Sequence, residues 1–186
     1  MALLLPQRQR EYHRKAGAIR WAAERGIAAG KTAATFDPSG ACTRGQAVTF
    51  LWRAAGKPEV SSGAAFSDVA ADAYCAQAVR WAASLGIVTG YADGNFRPNA
   101  TVTREQMAAI LYRYAQYKGY DVTASGDLSG YTDAGAIRPY AEAAMAWANG
   151  AGLITGVSDT TLQPRGNSTR AQVATILMRF CQKVAE

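Results

Sequence analysis

Three tryptophans, Trp21, Trp81 and Trp147, each open the same gapless string of residues. Five positions on stand Gly26, Gly86 and Gly152, and four further on Gly30, Gly90 and Gly156. Phe36, Phe96 and Leu162 follow, each two residues before Pro38, Pro98 and Pro164. A Thr-Arg pair comes next at 43–44, 103–104 and 169–170, then Gln46, Gln106 and Gln172, and seven residues later Arg53, Arg113 and Arg179. The copies are 60 and then 66 residues apart. A register kept this strictly calls for one supersecondary unit used three times, with the units burying their apolar faces on one another.

Each unit reads as helix, loop, helix, so the expected fold is all-α. In the second copy Tyr74, Ala78, Trp81 and Leu85 mark one face at helical spacing, and Gly86 stands where a left-handed residue ends a helix. Asp93-Gly94 is a turn signal, and Pro98 lies in the loop. Thr103 is the expected N-cap, with Gln106 three residues on completing a capping box. Met107, Ile110, Leu111 and Tyr114 form the apolar stripe of the second helix.

The copies are unequal. Phe66-Ser67-Asp68-Val69 leads into the second and Tyr131-Thr132-Asp133-Ala134 into the third, while the first has no counterpart. The loop sequence Tyr91-Ala92-Asp93-Gly94 becomes Val157-Ser158-Asp159-Thr160 in the third copy and Lys31-Thr32-Ala33-Ala34 in the first. The stretches around 56–65 and 121–130 read as linkers. The expected organisation is therefore an atypical segment over 1–17, then repeats over 18–57, 66–122 and 131–186.

Charge and composition exclude several classes. Of the formal net charge of +6, residues 1–15 carry +3, through Arg8, Arg10, Arg14 and Lys15 against Glu11. The mildly basic remainder favours anionic partners without the dense basic face of a nucleic-acid binder. Loops of about 16 residues also differ from the short turn of a helix-turn-helix reader. His13 is the only histidine, and no nucleophile elbow, phosphate loop or metal-ligand spacing occurs, so the reading is non-enzymatic with no cofactor. Cys42, Cys75 and Cys181 are odd in number and have no C-x-x-C spacing, which reads as buried thiols rather than bridges. No apolar run reaches the roughly 18 residues of a membrane span. The opening Met-Ala-Leu-Leu-Leu-Pro is too short for a secretory h-region and reads as no export signal.

The strings Phe66–Val69, Ala78–Ala82, Gly86–Pro98 and Thr103–Gln106 resemble an S-layer homology domain, in three copies over about 18–186. The resemblance implies a pseudo-trimer in which one helix from each repeat packs into a central bundle with grooves between repeats. It also implies an anchoring module, bound to an anionic, pyruvylated secondary cell-wall polysaccharide at the bacterial surface. The family's usual Thr-Arg-Ala-Glu ends here in Gln in all three copies, which keeps the capping box and makes the site less acidic.

The candidate ligand-binding residues are Arg44, Arg104 and Arg170, with Gly90, Gly156, Tyr91, Asp93, Asp68 and Asp133. Each arginine sits one residue after an N-cap, where unpaired backbone N–H groups and the helix dipole favour anions, and its planar fork grips a carboxylate. The same arginines could instead pair with Asp68 or Asp133 and hold repeats together. Tyr91 is a sugar-stacking candidate, and Asp93 reads as a sugar ligand or a turn former. Trp21, Trp81 and Trp147 read as core, and Arg53, Arg113 and Arg179 as packed or solvated stems. Ranked by completeness of the copies, Arg104 comes first, Arg170 second and Arg44 last. A protein–protein scaffold within a surface layer is the competing reading.

Overall fold

A computed structural model describes residues 7–30, 32, 35–60 and 66–185, with side chains from Lys15 onward. Residues 1–6 of the atypical segment, the side chain of His13, part of the first-copy loop (Lys31, Ala33 and Ala34) and part of the first linker (61–65) lie outside the described residues. Six helices follow one another: α1 (Gln7–Glu24), α2 (Arg44–Ala54), α3 (Ala76–Ser84), α4 (Arg104–Lys118), α5 (Glu142–Gly150) and α6 (Arg170–Lys183). Two short 3₁₀ turns, Ala134–Ala136 and Pro139–Ala141, precede α5. No β-strand occurs among the described residues, and the fold is all-α.

Local chemistry sets the helix ends. Thr43, Thr103 and Thr169 each accept from the amide of Gln46, Gln106 and Gln172, and the glutamine side chains return the bond to the threonine N–H. These three capping boxes satisfy two of the donors each helix start leaves over. At the ends of α1, α3 and α5, Gly26, Gly86 and Gly152 take φ of +65°, +68° and +67°, a conformation that costs glycine nothing.

The helices pair across the repeat boundary. α2 packs on α3, α4 on α5 and α6 on α1, so the second helix of each repeat is covered by the first helix of the next. The last pair closes the ring between the third repeat and the first. At its centre the three starts of α2, α4 and α6 are tied by a cycle of backbone bonds. Cys42 N–H donates to Ser168 O, Ser168 N–H to Val102 O and Val102 N–H to Cys42 O, each at 2.9 Å. Isolated bridges, Ala41 with Thr169, Thr43 with Thr101 and Thr103 with Asn167, flank this cycle.

One continuous core fills the interior. Met107, Ile110, Leu111 and Tyr114 are buried on α4, as their spacing predicts, and Trp81 and Trp147 are buried on α3 and α5. Trp21 is partly buried against the same core. Phe180 of α6 packs its ring 5.8 Å from Tyr114 and 6.4 Å from Trp147, which links repeats 2 and 3 through aromatic contacts. The expected α3 face is corrected at its start: Tyr74 precedes the helix and is 59% exposed. Its hydroxyl lies 3.4 Å from Thr43 Oγ1 of the previous repeat.

Candidate functional site

The expectation of unpaired amides at the helix starts is corrected. Arg44 N–H donates to Ala100 O and Gly45 N–H to Pro98 O; Arg104 and Glu105 donate to Gly166 O and Pro164 O; Arg170 and Ala171 donate to Gly40 O and Pro38 O. With the capping boxes these bonds occupy the first amides of every second helix, so no amide cradle is left for an anion. The post-proline turn of each following repeat supplies the carbonyls. That turn bends back toward the ring, and a single copy's sequence does not show it.

The three arginines are nearly buried, at 7%, 7% and 4% exposure for Arg44, Arg104 and Arg170. Their side chains donate to backbone carbonyls. Arg104 donates from Nε to Leu162 O at 2.7 Å and from Nη2 to Thr155 O at 2.5 Å. Arg170 donates in the same way to Phe36 O at 2.8 Å and Ala29 O at 2.7 Å. Arg44 donates from Nε to Phe96 O at 2.9 Å, and its guanidinium lies 4.6 Å from the Phe96 ring centroid and 5.0 Å from that of Tyr91. Burial lowers the Arg44 and Arg104 pKa. Hydrogen bonds to a charged group contribute about 1.5–3 kcal/mol each, and each aromatic contact adds about 0.5–2 kcal/mol.

Asp68 and Asp133 clamp loops. Asp68 accepts from the amides of Phe96 and Arg97 at 2.8 and 2.6 Å, and Asp133 from those of Leu162 and Gln163 at 2.8 and 2.7 Å. Arg97 and Gln163 have φ of +59° and +51°. A non-glycine residue in that region is costly, and the carboxylate beneath holds it there. These hydrogen bonds keep Asp133 ionised below the usual carboxylate range, with a smaller contribution from Arg104.

Gly90 and Gly156 are forced by close approach. A Cβ on Gly90 would stand 2.5 Å from Phe66 Cε1, and one on Gly156 would stand 2.7 Å from Tyr131 Cε1. The lead-in aromatic of each complete repeat thus packs directly over its loop glycine. Asp93 accepts from Asn95 N–H at 3.0 Å and pairs with Arg97 at 2.9 Å, which makes it a turn former in this structure. The Arg97 guanidinium sits 4.0 Å from the Tyr91 ring centroid, and the Tyr91 hydroxyl accepts from Gln106 Nε2 at 3.1 Å.

Of the candidate residues, Arg44, Gly90 and Tyr91 come together at a cleft of about 650 Å³, within the usual range of small-molecule sites. Arg44 of repeat 1 forms one wall, the Thr89–Tyr91 loop of repeat 2 another, and Arg138 and Tyr140 of the repeat 3 lead-in a third. Arg97 and Arg113 also face it, and no acidic residue lines it. A smaller cleft of about 250 Å³ repeats the arrangement one step round the ring, with Arg104, the Thr155–Val157 loop, Arg179 and, from α1, Lys15. Arg44, ranked last by the completeness of its own copy, does not meet the loop of that copy. It works with the loop of the next repeat, and the loop it meets is the complete one.

Arg138, Tyr140 and Glu105 were missed from sequence. Glu105 is fully buried and accepts from Arg138 Nη1 at 2.7 Å and from Arg138 N–H at 3.1 Å. Its counterparts in the other repeats are Gly45 and Ala171, so the contact breaks the repeat pattern. A carboxylate where the other copies carry a small apolar residue was the available signal. Among the described residues no group of His, Cys, Asp and Glu could hold a metal, and no helix is long and apolar enough to cross a membrane.

The sequence model of the S-layer homology domain matches residues 10–48, 65–108 and 130–174. An endoglucanase of Bacillus sp. strain KSM-635 is 35% identical over 162 residues, which is 87% of this chain and 17% of that protein. The surface-layer 125 kDa protein of Lysinibacillus sphaericus is 28% identical over 90% of this chain and 14% of its own length. The outer membrane protein SlpA of Thermus thermophilus is 45% identical over 53 residues, covering 28% of this chain and 6% of that protein. The chain therefore spans less than a fifth of the length of these relatives.

Proposed function

The chain belongs to the S-layer homology domain family, and on that premise we propose that it is a non-catalytic anchoring module that binds an anionic, pyruvylated cell-wall polysaccharide at a bacterial surface. The observation that carries this reading is the inter-repeat cleft of about 650 Å³, lined by Arg44, Arg97, Arg113 and Arg138 with no acidic side chain. Planar guanidinium groups grip carboxylates in two-point fashion. A pyruvate ketal carries one carboxylate per modified sugar. Tyr140, exposed in the same cleft, offers a flat, amphipathic face for a sugar ring, while the Tyr91 ring is already covered by Arg97 and Arg44. Single contacts of this kind are weak, and repeated units along one polymer raise the effective concentration at a second cleft.

The relatives fit this role. A surface-layer protein and a much longer endoglucanase share this stretch, as expected of a module that attaches different proteins to one kind of surface. The test is co-sedimentation of the chain with purified, pyruvylated wall polysaccharide. Binding that falls at least tenfold after acid removal of the ketals, and tenfold in R44A with helicity retained, is the expected result. Equal binding to the de-ketalised polymer would exclude the carboxylate mechanism.

A further inference from the structure

The three repeats allow each arginine to be compared with its own counterparts. Arg104 and Arg170 span two loop carbonyls, Leu162 O with Thr155 O and Phe36 O with Ala29 O. Arg44 makes the first of these bonds, to Phe96 O. Among the described residues it makes no second bond, to the equivalent Thr89 O. A parallel difference separates the arginines seven residues past the glutamine. Arg179 donates to Leu153 O at 3.0 Å and Arg53 to Ile27 O at 3.5 Å, while Arg113 donates no hydrogen bond among the described residues.

Both departures fall in the same cleft, since Arg44 and Arg113 line it together. The other two arginines there are already committed: Arg97 to Asp93 at 2.9 Å and Arg138 to Glu105 at 2.7 Å. In the smaller cleft the matching pair, Arg104 and Arg179, is held by loop carbonyls. A ligand there must displace protein acceptors before it can be gripped. In the large cleft two guanidinium forks keep donors to spare, and two cations share one cavity with no lining carboxylate.

We propose that the cleft between repeats 1 and 2 selects a saccharide unit bearing two anionic groups, one received by Arg44 and one by Arg113. This rests on the reading of the cleft as the polysaccharide site. A single acid group satisfies one fork and leaves the second cation unneutralised. A second acid group on the neighbouring sugar satisfies both.

The experiment is calorimetric titration of the intact chain with two probes: a hexosamine disaccharide carrying one pyruvate ketal, and the same disaccharide with a ketal on each sugar. The doubly acidic probe is expected to bind about tenfold more tightly, the difference of one charge-assisted contact. In R113A that ratio falls below about two, and R113K restores part of it, with circular dichroism confirming the fold of each variant. Equal affinity of wild type for the two probes, or an unchanged ratio in R113A, overturns the two-anion assignment and leaves the anchoring reading standing. Failure of both probes to bind overturns both readings together.

Discussion

Glu105 Oε1 lies 2.7 Å from Arg138 Nη1, which joins the start of α4 in repeat 2 to the lead-in of repeat 3. The two ends of the pair differ in their surroundings: the Glu105 side chain is fully buried, while that of Arg138 is 47% exposed. Removal of either partner therefore has unequal consequences. R138A strands a buried carboxylate, with the Tyr140 hydroxyl at 3.4 Å and one backbone amide left to it, and is expected to cost about 2–4 kcal/mol. E105A lets Arg138 turn into water, and is expected to cost about 1–2 kcal/mol. Urea denaturation of the two variants gives the order, and a larger loss for E105A would contradict it.

The N-caps make a second prediction. Thr43, Thr103 and Thr169 have the same geometry, with φ near −80° and a reciprocal bond from glutamine. T103A should cost about 1 kcal/mol. Since α4 also leans on repeat 3 through Arg104 N–H and Glu105 N–H, the loss should appear as lowered stability of the whole ring. Differential scanning calorimetry of T43A, T103A and T169A should show single transitions, each lowered by a similar amount.

Caps, closing glycines and buried stripes were legible because their causes lie within a few residues. Thr103 needs only Gln106, and Gly86 needs only the end of its own helix. The partner of each arginine was not legible, because Arg44 bonds a carbonyl 52 positions away and Arg170 one 134 positions away. The sequence offered Asp68 and Asp133 as protein partners for the arginines, whereas the fold gives Arg104 the carbonyls of Leu162 and Thr155 in the next repeat. The same offset hid the saturation of the helix-start amides. The role of Asp68 and Asp133 was hidden for another reason: the left-handed Arg97 and Gln163 they stabilise are residue types that do not announce that conformation.

Acid should weaken this fold in part through Asp133. Its carboxylate accepts two loop amides, and its pKa is lowered chiefly by the bond from Leu162 N–H. A carboxyl group with a depressed folded-state pKa contributes stability above its unfolded value, near 3.9. That contribution is lost as pH falls through the lower folded value. D133N should therefore be less stable than wild type at pH 7, by about 1–2 kcal/mol for two weakened amide bonds, with the gap narrowing below about pH 4. Denaturation midpoints of the two proteins between pH 3 and pH 7 would show the convergence, and a constant gap would argue against the clamp.

The thiols should react in order of burial. Cys42 sits in the central ring, and burial pushes its pKa up to about 12, offset in part by Arg170. Burial also raises the pKa of Cys75, while Cys181 is only partly buried on α6. The thiolate is the reactive form, so alkylation at pH 8 should modify Cys181 first. Cys42 should resist until the ring opens, at a rate that follows global unfolding. Mass spectrometry of labelled peptides would report this order, and early labelling of Cys42 would mean that the central cycle opens locally.

The cross-repeat pairing leads to a final expectation, about the smallest unit that folds. In the intact chain α4 is covered by α5, and α3 covers α2. A peptide of residues 66–122 would contain α3 and α4 without the main partner of either. Met107 and Leu111, fully buried in the ring, would be left without much of their packing, at about 1.5–3 kcal/mol per exposed side chain. Arg104 would lose both carbonyls, and its helix start would lose the turn at Pro164–Gly166. Such a peptide should show little helicity by circular dichroism and no cooperative melting, despite carrying the most complete copy of the repeat. The intact chain should melt in one transition, because each repeat supplies the cover, the carbonyls for the helix-start amides and the arginine acceptors of its neighbour.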